Sequence, residues 1–424
     1  MHQLDPVHLQ AHKAYEAFKA TGVRLDLTRG KPSPEQLDLS NELLRLPGNG
    51  DFLQADGGDA RNYYGSLQGL PEARELFSHM LGAPKEQIII GNNSSLALMH
   101  DCIVYALLAG AIAGTEPWAK GGPVAFLCPV PGYDRHFSIC EAYGIRMITV
   151  PMTDVGPDMN EVERLVADPS VRGMWCVPKY SNPTGAIYAR DTVERLARMP
   201  TGAADFRLFW DNAYSVHHLT DARHEIANII DECASAGNPD RPFVFSSTSK
   251  MTFAGGGLAL FASSPRNVAW LVGHMSKRTI GPEKLNQLRH VRMLENHNGI
   301  VQLMENHRRL ISPKFAAFDE VLTRYLAGTG TATWNKPEGG YFINVDVKDG
   351  CARRVVQLAK EAGLLLVPAG STFPYGHDPR DRNLRIAPTF PSLAEVRAAA
   401  EGLSFSILLA SAERHEREEA KERV

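Results

Sequence analysis

The chain has 424 residues, 44% apolar and 22% charged, with a net charge of −3, a composition that suits a globular protein of two to three domains at roughly 150 residues each. This balance excludes the basic face of a nucleic-acid binder and the polybasic surface of a peripheral membrane protein. Six cysteines, Cys102, Cys128, Cys140, Cys176, Cys233 and Cys351, form no CxxC pair and read as reduced core thiols, not as a disulfide framework.

Residues 1–22 have helical period and lack the apolar stretch of a signal peptide. An irregular Gly/Pro-rich run, TRGKPSPEQLDLS, follows. From about residue 60 to 265, short apolar strands alternate with helical patterns. The strands fall at 87–90, 124–128, 146–151, 173–177, 207–210, 243–246 and 257–263, and helices at 158–166 and 192–199 lie among them. Such alternation predicts an α/β fold with a mostly parallel seven-stranded sheet covered by helices on both faces. The most apolar run, 96–114, reads as a buried helix. His100 and Asp101 interrupt it and leave too little to cross a bilayer, and a cytoplasmic protein with no membrane partner is expected.

Residues 268–326 are helical in pattern and rich in His, Arg and Asn, which predicts a long helix bridging two lobes. Beyond it, short strands at 340–347, 363–367 and 384–387, with helices at 352–362 and 392–412, predict a smaller α+β lobe. The charged tail AERHEREEAKERV reads as a frayed, solvated helix end. Residues 51–310 are therefore expected to form a large domain and 311–424 a C-terminal small domain, with 1–50 contributing to the small one.

Three runs concentrate chemistry. In FVFSSTSKMTFAGGGLALF a strand ends in four hydroxyl residues, Ser246 to Ser249, followed by Lys250 and then by Gly255, Gly256 and Gly257. A lysine at the carboxyl end of a strand in an open α/β sheet points into the ligand crevice, although a surface lysine on a flexible loop has the same local pattern. In GMWCVPKYSNPTG a buried strand leads into a sharp loop carrying Asn182, whose amide can donate to a ligand oxygen; a plain Asn-Pro turn is the structural alternative. In FRLFWDNAYSVHHL, Asp211 ends an apolar strand and Tyr214 follows. A carboxylate there needs a partner, either a protonated ring nitrogen or a basic side chain of the protein. Successive spacings are 29 residues from Asn182 to Asp211 and 39 from Asp211 to Lys250.

This ordered constellation resembles the fold-type I pyridoxal-5′-phosphate (PLP) enzymes, and within them the class I aminotransferases, over roughly Gly30 to Pro388. The resemblance implies that Lys250 is the Schiff-base lysine and proton shuttle. It makes Asp211 the partner of the pyridinium nitrogen, which keeps the ring an electron sink, and Asn182 and Tyr214 the donors to the phenolic oxygen. Tyr133, in CPVPGYDRH, matches the aromatic stacked on the ring. Ser94 and Ser95, in GNNSSLAL, match the phosphate-binding helix N-terminus, where N–H groups and the helix dipole favour an anion, and Ser247 matches a further phosphate hydroxyl. Tyr64 matches a tyrosine that reaches the cofactor phosphate of the neighbouring subunit, which implies a homodimer with shared sites. Arg385, in NLRIAP, matches the clamp on the substrate α-carboxylate, with Asn182 beside it. Gly30 and the run PEGGYF mark the substrate entrance and the start of the small lobe.

One departure stands out. Most class I members carry a phosphate arginine eight residues after the lysine, where this chain has Leu258. Local hydroxyls, backbone amides or Arg278 are the candidate replacements. The departure and the run LTRGKPSPEQLDLS resemble a divergent bacterial aspartate aminotransferase subgroup, which implies aspartate and 2-oxoglutarate as substrates. A dicarboxylate needs a second cation; Arg29, Lys31, Lys284, Arg289 and Arg292 are candidates. His217 and His218 follow the Asp211 strand and are candidates for the site's surroundings. No HExxH or other metal-ligand spacing appears, and no GxGxxG opens a helix after a strand. Two further readings stay open: another PLP reaction on this fold, such as a β-lyase, decarboxylase or racemase, and a PLP-binding sensor module of a regulator. Only about 30 residues precede Gly30, too few for the winged helix that such a regulator carries.

Overall fold

The runs VRGMWC, RLFWD and PFVFSS are buried almost along their length, as expected of strands covered on both faces. In the computed structural model, which describes residues 6–63, 65–112 and 114–422, they form the centre of a large sheet. The strands among the described residues are, in chain order, β1 (Leu25–Asp26), β2 (Ile88–Ile90), β3 (Ala125–Val130), β4 (Arg146–Thr153), β5 (Gly156–Pro157), β6 (Val171–Cys176), β7 (Arg207–Asp211), β8 (Pro242–Ser247), β9 (Ala259–Ala262), β10 (Ala332–Trp334), β11 (Ile343–Val347), β12 (Leu364–Leu365) and β13 (Asn383–Ile386).

The large sheet has the order β2-β9-β8-β7-β6-β3-β4-β5. Strands β4, β3, β6, β7 and β8 run parallel. β9 is antiparallel to both of its neighbours. The seven anticipated strands are all present; the eighth, β5, is a two-residue return against β4, too short to leave a periodic signal. Although both faces are buried, side chains still alternate. On β7, Leu208 and Trp210 join an aliphatic core with Met174, Val244 and Leu260. Phe209 joins an aromatic core on the other face with Phe126, Trp175, Phe243 and Phe261. The period of two along a strand places Asp211 on the aromatic face.

The apolar run after Ser94 forms the helix Ser95–Ala109. The segment expected as one long helical stretch is divided into Pro265–Arg278, Lys284–Leu294 and His297–Leu326. The last of these joins two cores: Ile300, Leu303 and Met304 pack into the aliphatic core of the large sheet, and Ile311, Phe315 and Phe318 pack into a third core. That third core also takes Tyr15 and Phe18 of the first helix, Pro6–Lys19, and residues of the β10-β11-β13 sheet. β1 pairs in parallel with β12, so the N-terminal segment is stitched to the C-terminal part of the chain. Through Glu422 the charged tail is helical, not frayed. It continues the helix Leu393–Glu422, held by a bidentate Arg354–Glu413 pair at 2.7 and 2.6 Å and by His8 on Glu416 at 2.6 Å. All six cysteines are buried and free. No helix among the described residues is long and apolar enough to cross a membrane.

Gly173 on β6 has no room for a side chain, because an added Cβ would collide with the ring of Phe126. Gly173→Ala is expected to lower stability by about 1–3 kcal/mol through overpacking, read as a lower denaturant midpoint at unchanged slope.

Candidate active site

β3, β6, β7 and β8 end side by side, and their carboxyl ends carry Tyr133, Asn182, Asp211 and Lys250. This crevice is where ligands bind in open α/β sheets. A cavity of about 490 Å³ opens there, lined by Lys250, Tyr133, Tyr214 and Arg385 together with Gly30 and Phe342. Gly30 is required for closeness: a Cβ would come within 2.7 Å of the Phe342 ring.

Asp211 is 4% exposed. Its Oδ2 lies 3.0 Å from His136 Nε2, and Oδ1 is buried without a hydrogen-bond partner. His136 is clamped by stacking on Trp175 at 4.3 Å between centroids and 7° between planes, and Tyr133 meets its edge. Asn182 is 1% exposed, and neither its amide oxygen nor its amide nitrogen has a partner among the described residues. Buried polar groups left unpaired are costly, so two such side chains at neighbouring strand ends mark a ligand position. Asn182 has the donor expected at a phenolic oxygen, and Asp211 Oδ1 has the acceptor expected at a protonated ring nitrogen. The residues fit PLP on these grounds.

Tyr214 is buried, with Lys250 Nζ 5.0 Å from its ring centroid. Burial, then the neighbouring Tyr133 and Asp211, push its hydroxyl pKa well above the ordinary value. Burial, then the carboxylates of Asp211 and Asp134, raise Tyr133 to about 12. Lys250 is pushed the other way: burial lowers its pKa, Asp211 opposes this and Arg385 adds to it.

Arg385 is 5% exposed. Its Nη1 donates to Asp134 Oδ1 at 2.8 Å, while Nε is buried without a partner. One edge of the guanidinium is thus already on a carboxylate, and the Nε edge is open to a second.

Ser94 caps the helix Ser95–Ala109 with Ser95 as its first residue. The loop before it is tied to the Lys250 loop: Ser249 Oγ donates to the Asn93 carbonyl at 3.2 Å, and Asn93 Nδ2 donates to the Gly255 carbonyl at 3.2 Å. Ser247 is buried at the end of β8. Leu258 is 1% exposed within the aliphatic core, so its side chain meets no ligand. Arg278 pairs with Asp101 Oδ2 at 3.2 Å, on the same helix that Ser94 caps. Tyr64 lies outside the described residues. Of the candidate cations for a second carboxylate, Arg29 and Lys31 line the cavity. Arg289 is instead turned to the Leu46 carbonyl at 2.6 Å, Arg292 to Asp51 at 2.8 Å, and Lys284 is buried away from the cavity lining. Arg135, which the sequence reading omitted, also lines the cavity.

A buried network under the Lys250 backbone was not anticipated either. The Ser33 N–H donates to Gln36 Oε1 at 3.1 Å. Gln36 Nε2 donates to Tyr341 Oη at 2.8 Å and to His307 Nδ1 at 2.9 Å. The Tyr341 hydroxyl then donates to the Lys250 carbonyl at 3.2 Å, and His307 Nε2 donates to the Met251 carbonyl at 2.8 Å. An amide N–H at Nδ1 requires a neutral imidazole, in keeping with burial pushing His307 down to about 4. His217 is also buried, with its ring 5.5 Å from that of Tyr341, and burial, then Lys250, hold its pKa well below the ordinary value. The spacing of Tyr133 and His136, one helical turn, was the available signal for His136; Gln36 sits in an irregular run and left none. Among the described residues no group of His, Cys, Asp and Glu could hold a metal ion.

The family model for aspartate amino-transferase matches residues 1–419. A relative from Mycolicibacterium smegmatis is 52% identical over 409 residues, spanning 96% of this chain and 95% of its own. An aspartate aminotransferase of Corynebacterium glutamicum is 48% identical over 408 residues, with 96% and 94% covered. The crystal structure of an aspartate transaminase from that organism superposes with a TM-score of 0.94 at 48% identity, covering 96% of each chain. An alpha-aminoadipate aminotransferase from Thermus thermophilus, complexed with N-(5′-phosphopyridoxyl)-L-leucine, superposes at 0.74 with 21% identity, covering 95% of this chain and 97% of its own, a likeness of fold. The strand-end cluster and these matches agree: the chain is an aminotransferase and belongs to the aspartate amino-transferase family.

Proposed function

We propose that the chain is a PLP-dependent aspartate:2-oxoglutarate aminotransferase, with Lys250 as the residue that holds the cofactor. The observation that carries this reading is the pair of buried polar side chains with atoms that lack partners among the described residues, Asn182 after β6 and Asp211 at the end of β7, beside β8, whose following loop places Lys250 in a cavity with Arg385. Bound PLP supplies an electron sink for the negative charge left at the amino acid Cα. The protein residues do the rest. Asp211, oriented by His136, holds a proton on the ring nitrogen. When PLP is bound, Asn182 and Tyr214 would donate to the phenolic oxygen, Tyr133 would lie against the ring, and Ser94, Ser95 and Ser247 with the helix N-terminus would hold the phosphate. Leu258 leaves that phosphate without the family's arginine, so backbone N–H groups and hydroxyls carry a larger share of its charge.

Arg385 binds the α-carboxylate through its open edge, where a planar fork suits a carboxylate. Lys250 Nζ takes the Cα proton and returns it as general base and acid; burial favours the neutral amine that this needs. Both half-reactions use one site, which gives ping-pong kinetics. Arg29, Lys31 and Arg135 meet the distal carboxylate at the mouth of the cavity. Family resemblance supports a cytoplasmic homodimer with shared active sites. The separate cores support a large domain of residues 51–310 and a small one of 311–424; of residues 1–50, Ala11, Tyr15, Phe18, Leu25 and Leu27 join the small core, whereas Leu39 packs on the large one.

The protein purified with PLP is expected to be yellow, and borohydride is expected to fix the chromophore to Lys250, read by peptide mass spectrometry. Label on another lysine, or no uptake of PLP, contradicts the reading. Lys250→Ala is expected to abolish transamination while still holding PLP through its phosphate. A half-reaction scan by absorbance is expected to favour aspartate and glutamate; a faster aromatic amino acid overturns the substrate assignment.

His307 generates a pH prediction. Its imidazole is held at about 4 against about 6.5 in an unfolded chain. Between these values the unfolded state binds more protons, so this contribution to stability is complete above about 6.5 and is lost as pH falls towards 4. The denaturation midpoint of His307→Gln is expected to fall less steeply than that of the parent from pH 6.5 to 4.5.

A further inference from the structure

A second cavity, of about 620 Å³, shares no lining residue with the one at Lys250. It is bounded by the loops that follow β6 and β7, the first turns of His297–Leu326 and the end of the helix Pro71–Leu81. Two of its lining side chains are more than nine-tenths buried and lack partners. Lys179 is 8% exposed. Its ammonium makes no hydrogen bond or ion pair among the described residues; its nearest feature is the ring of Tyr180, at 5.5 Å. Asn212 is 9% exposed, and its Oδ1 is buried without a partner. A buried ammonium without a counter-charge is expensive, and burial lowers its pKa only to about 8, so it remains largely charged near neutrality.

The carboxylates around the cavity do not neutralise it. Glu305 is already taken by Arg308 at 2.6 Å and Arg223 at 3.3 Å, and Arg308 also reaches Asp221 at 3.1 Å. Glu225 acts on Lys179 only at a distance: it is exposed, its charge opposes the effect of burial on the ammonium while Arg223 adds to it, and it forms no ion pair with Lys179 among the described residues. The lining is therefore cationic at its buried end. Met80, Val216, Ile226 and Met304 supply apolar walls, and the volume lies within the range of small-molecule sites.

We propose that this cavity binds the oxyanion head of a small molecule, an organic carboxylate on a short hydrocarbon body or a phosphate, with the Lys179 ammonium as its counter-charge and Asn212 Oδ1 accepting from an O–H or N–H of the ligand. Lys179 lies three residues before Asn182, and Asn212 directly follows Asp211. An anion held there braces the two loops that carry these side chains, without entering the Lys250 cavity. The site stands on its own residues and is independent of which amino acid the enzyme transaminates.

The test is calorimetric titration of the PLP-saturated protein with inorganic phosphate and, separately, with isovalerate. The parent is expected to bind one equivalent of at least one probe that Lys179→Met binds at least about tenfold more weakly. Val301→Trp, which fills the cavity from its exposed rim and leaves Lys179 in place, is expected to lose the same equivalent. Lys179→Arg is expected to keep it. Circular dichroism and cofactor content establish that each variant is folded. Binding of phosphate alone identifies an inorganic ligand, and binding of isovalerate alone a carboxylate metabolite. The proposal is overturned if folded Lys179→Met and Val301→Trp titrate like the parent, or if the parent binds neither probe beyond what the variants bind.

Discussion

The site depends on the cost of placing a carboxylate at the end of a buried strand. Asp211 closes β7, the run RLFWD, whose other members are all buried. A charge there is tolerable only with compensation, and the fold supplies half of it. His136 takes one oxygen and is itself locked flat against Trp175. The other oxygen has no partner among the described residues and is left for a ligand. Around that vacancy in hydrogen bonding the neighbouring strands contribute Asn182, Tyr133 and Lys250, because parallel strands deliver their carboxyl ends to one edge. Sheet topology thus turns sequence-distant residues into one pocket.

Much of this was legible in the sequence, for definable reasons. Parallel strands announce themselves as short apolar runs, and residues at their ends can be read in order, so Asn182, Asp211 and Lys250 could be aligned before any fold was known. Gly30 and Arg385, from opposite ends of the chain, entered through resemblance to a family, and both line the same cavity. What escaped was lateral. His136 is one helical turn from Tyr133, but its meaning depends on Trp175 beneath it, on a different strand. Lys284, Arg289 and Arg292 formed a plausible cationic face by sequence, yet their helix, Lys284–Leu294, turns them to other partners. A helical period gives a face; it does not say which neighbour that face meets. The tail behaved likewise: its charges looked solvated until Arg354 and His8, far away in sequence, met Glu413 and Glu416.

The N-terminal segment has a larger part than its irregular composition suggested. Gln36 lies in a five-residue helix, Pro34–Asp38, and is wholly buried. Through Tyr341 and His307 it ties the backbone of Lys250 and Met251 to both ends of the chain. The donors on Gln36 Nε2, Tyr341 and His307 each have an acceptor, the condition under which a buried polar cluster rigidifies a core instead of weakening it. The Lys250 side chain is thereby mounted on a backbone that is fixed from below, while its Nζ faces the cavity.

The ion pair between Arg385 and Asp134 has a consequence for substrate capture. Arg385 belongs to β13 and Asp134 opens the helix after β3, so the contact is a clasp between the smaller sheet and the larger one. A free arginine loses roughly 2 kcal/mol of rotamer freedom when it is immobilised. Here that loss has occurred during folding, and an arriving carboxylate meets a guanidinium already aimed by its own protein. Asp134 acts as a permanent understudy for the ligand: it shows the fork how to stand, and leaves one side of the stage empty.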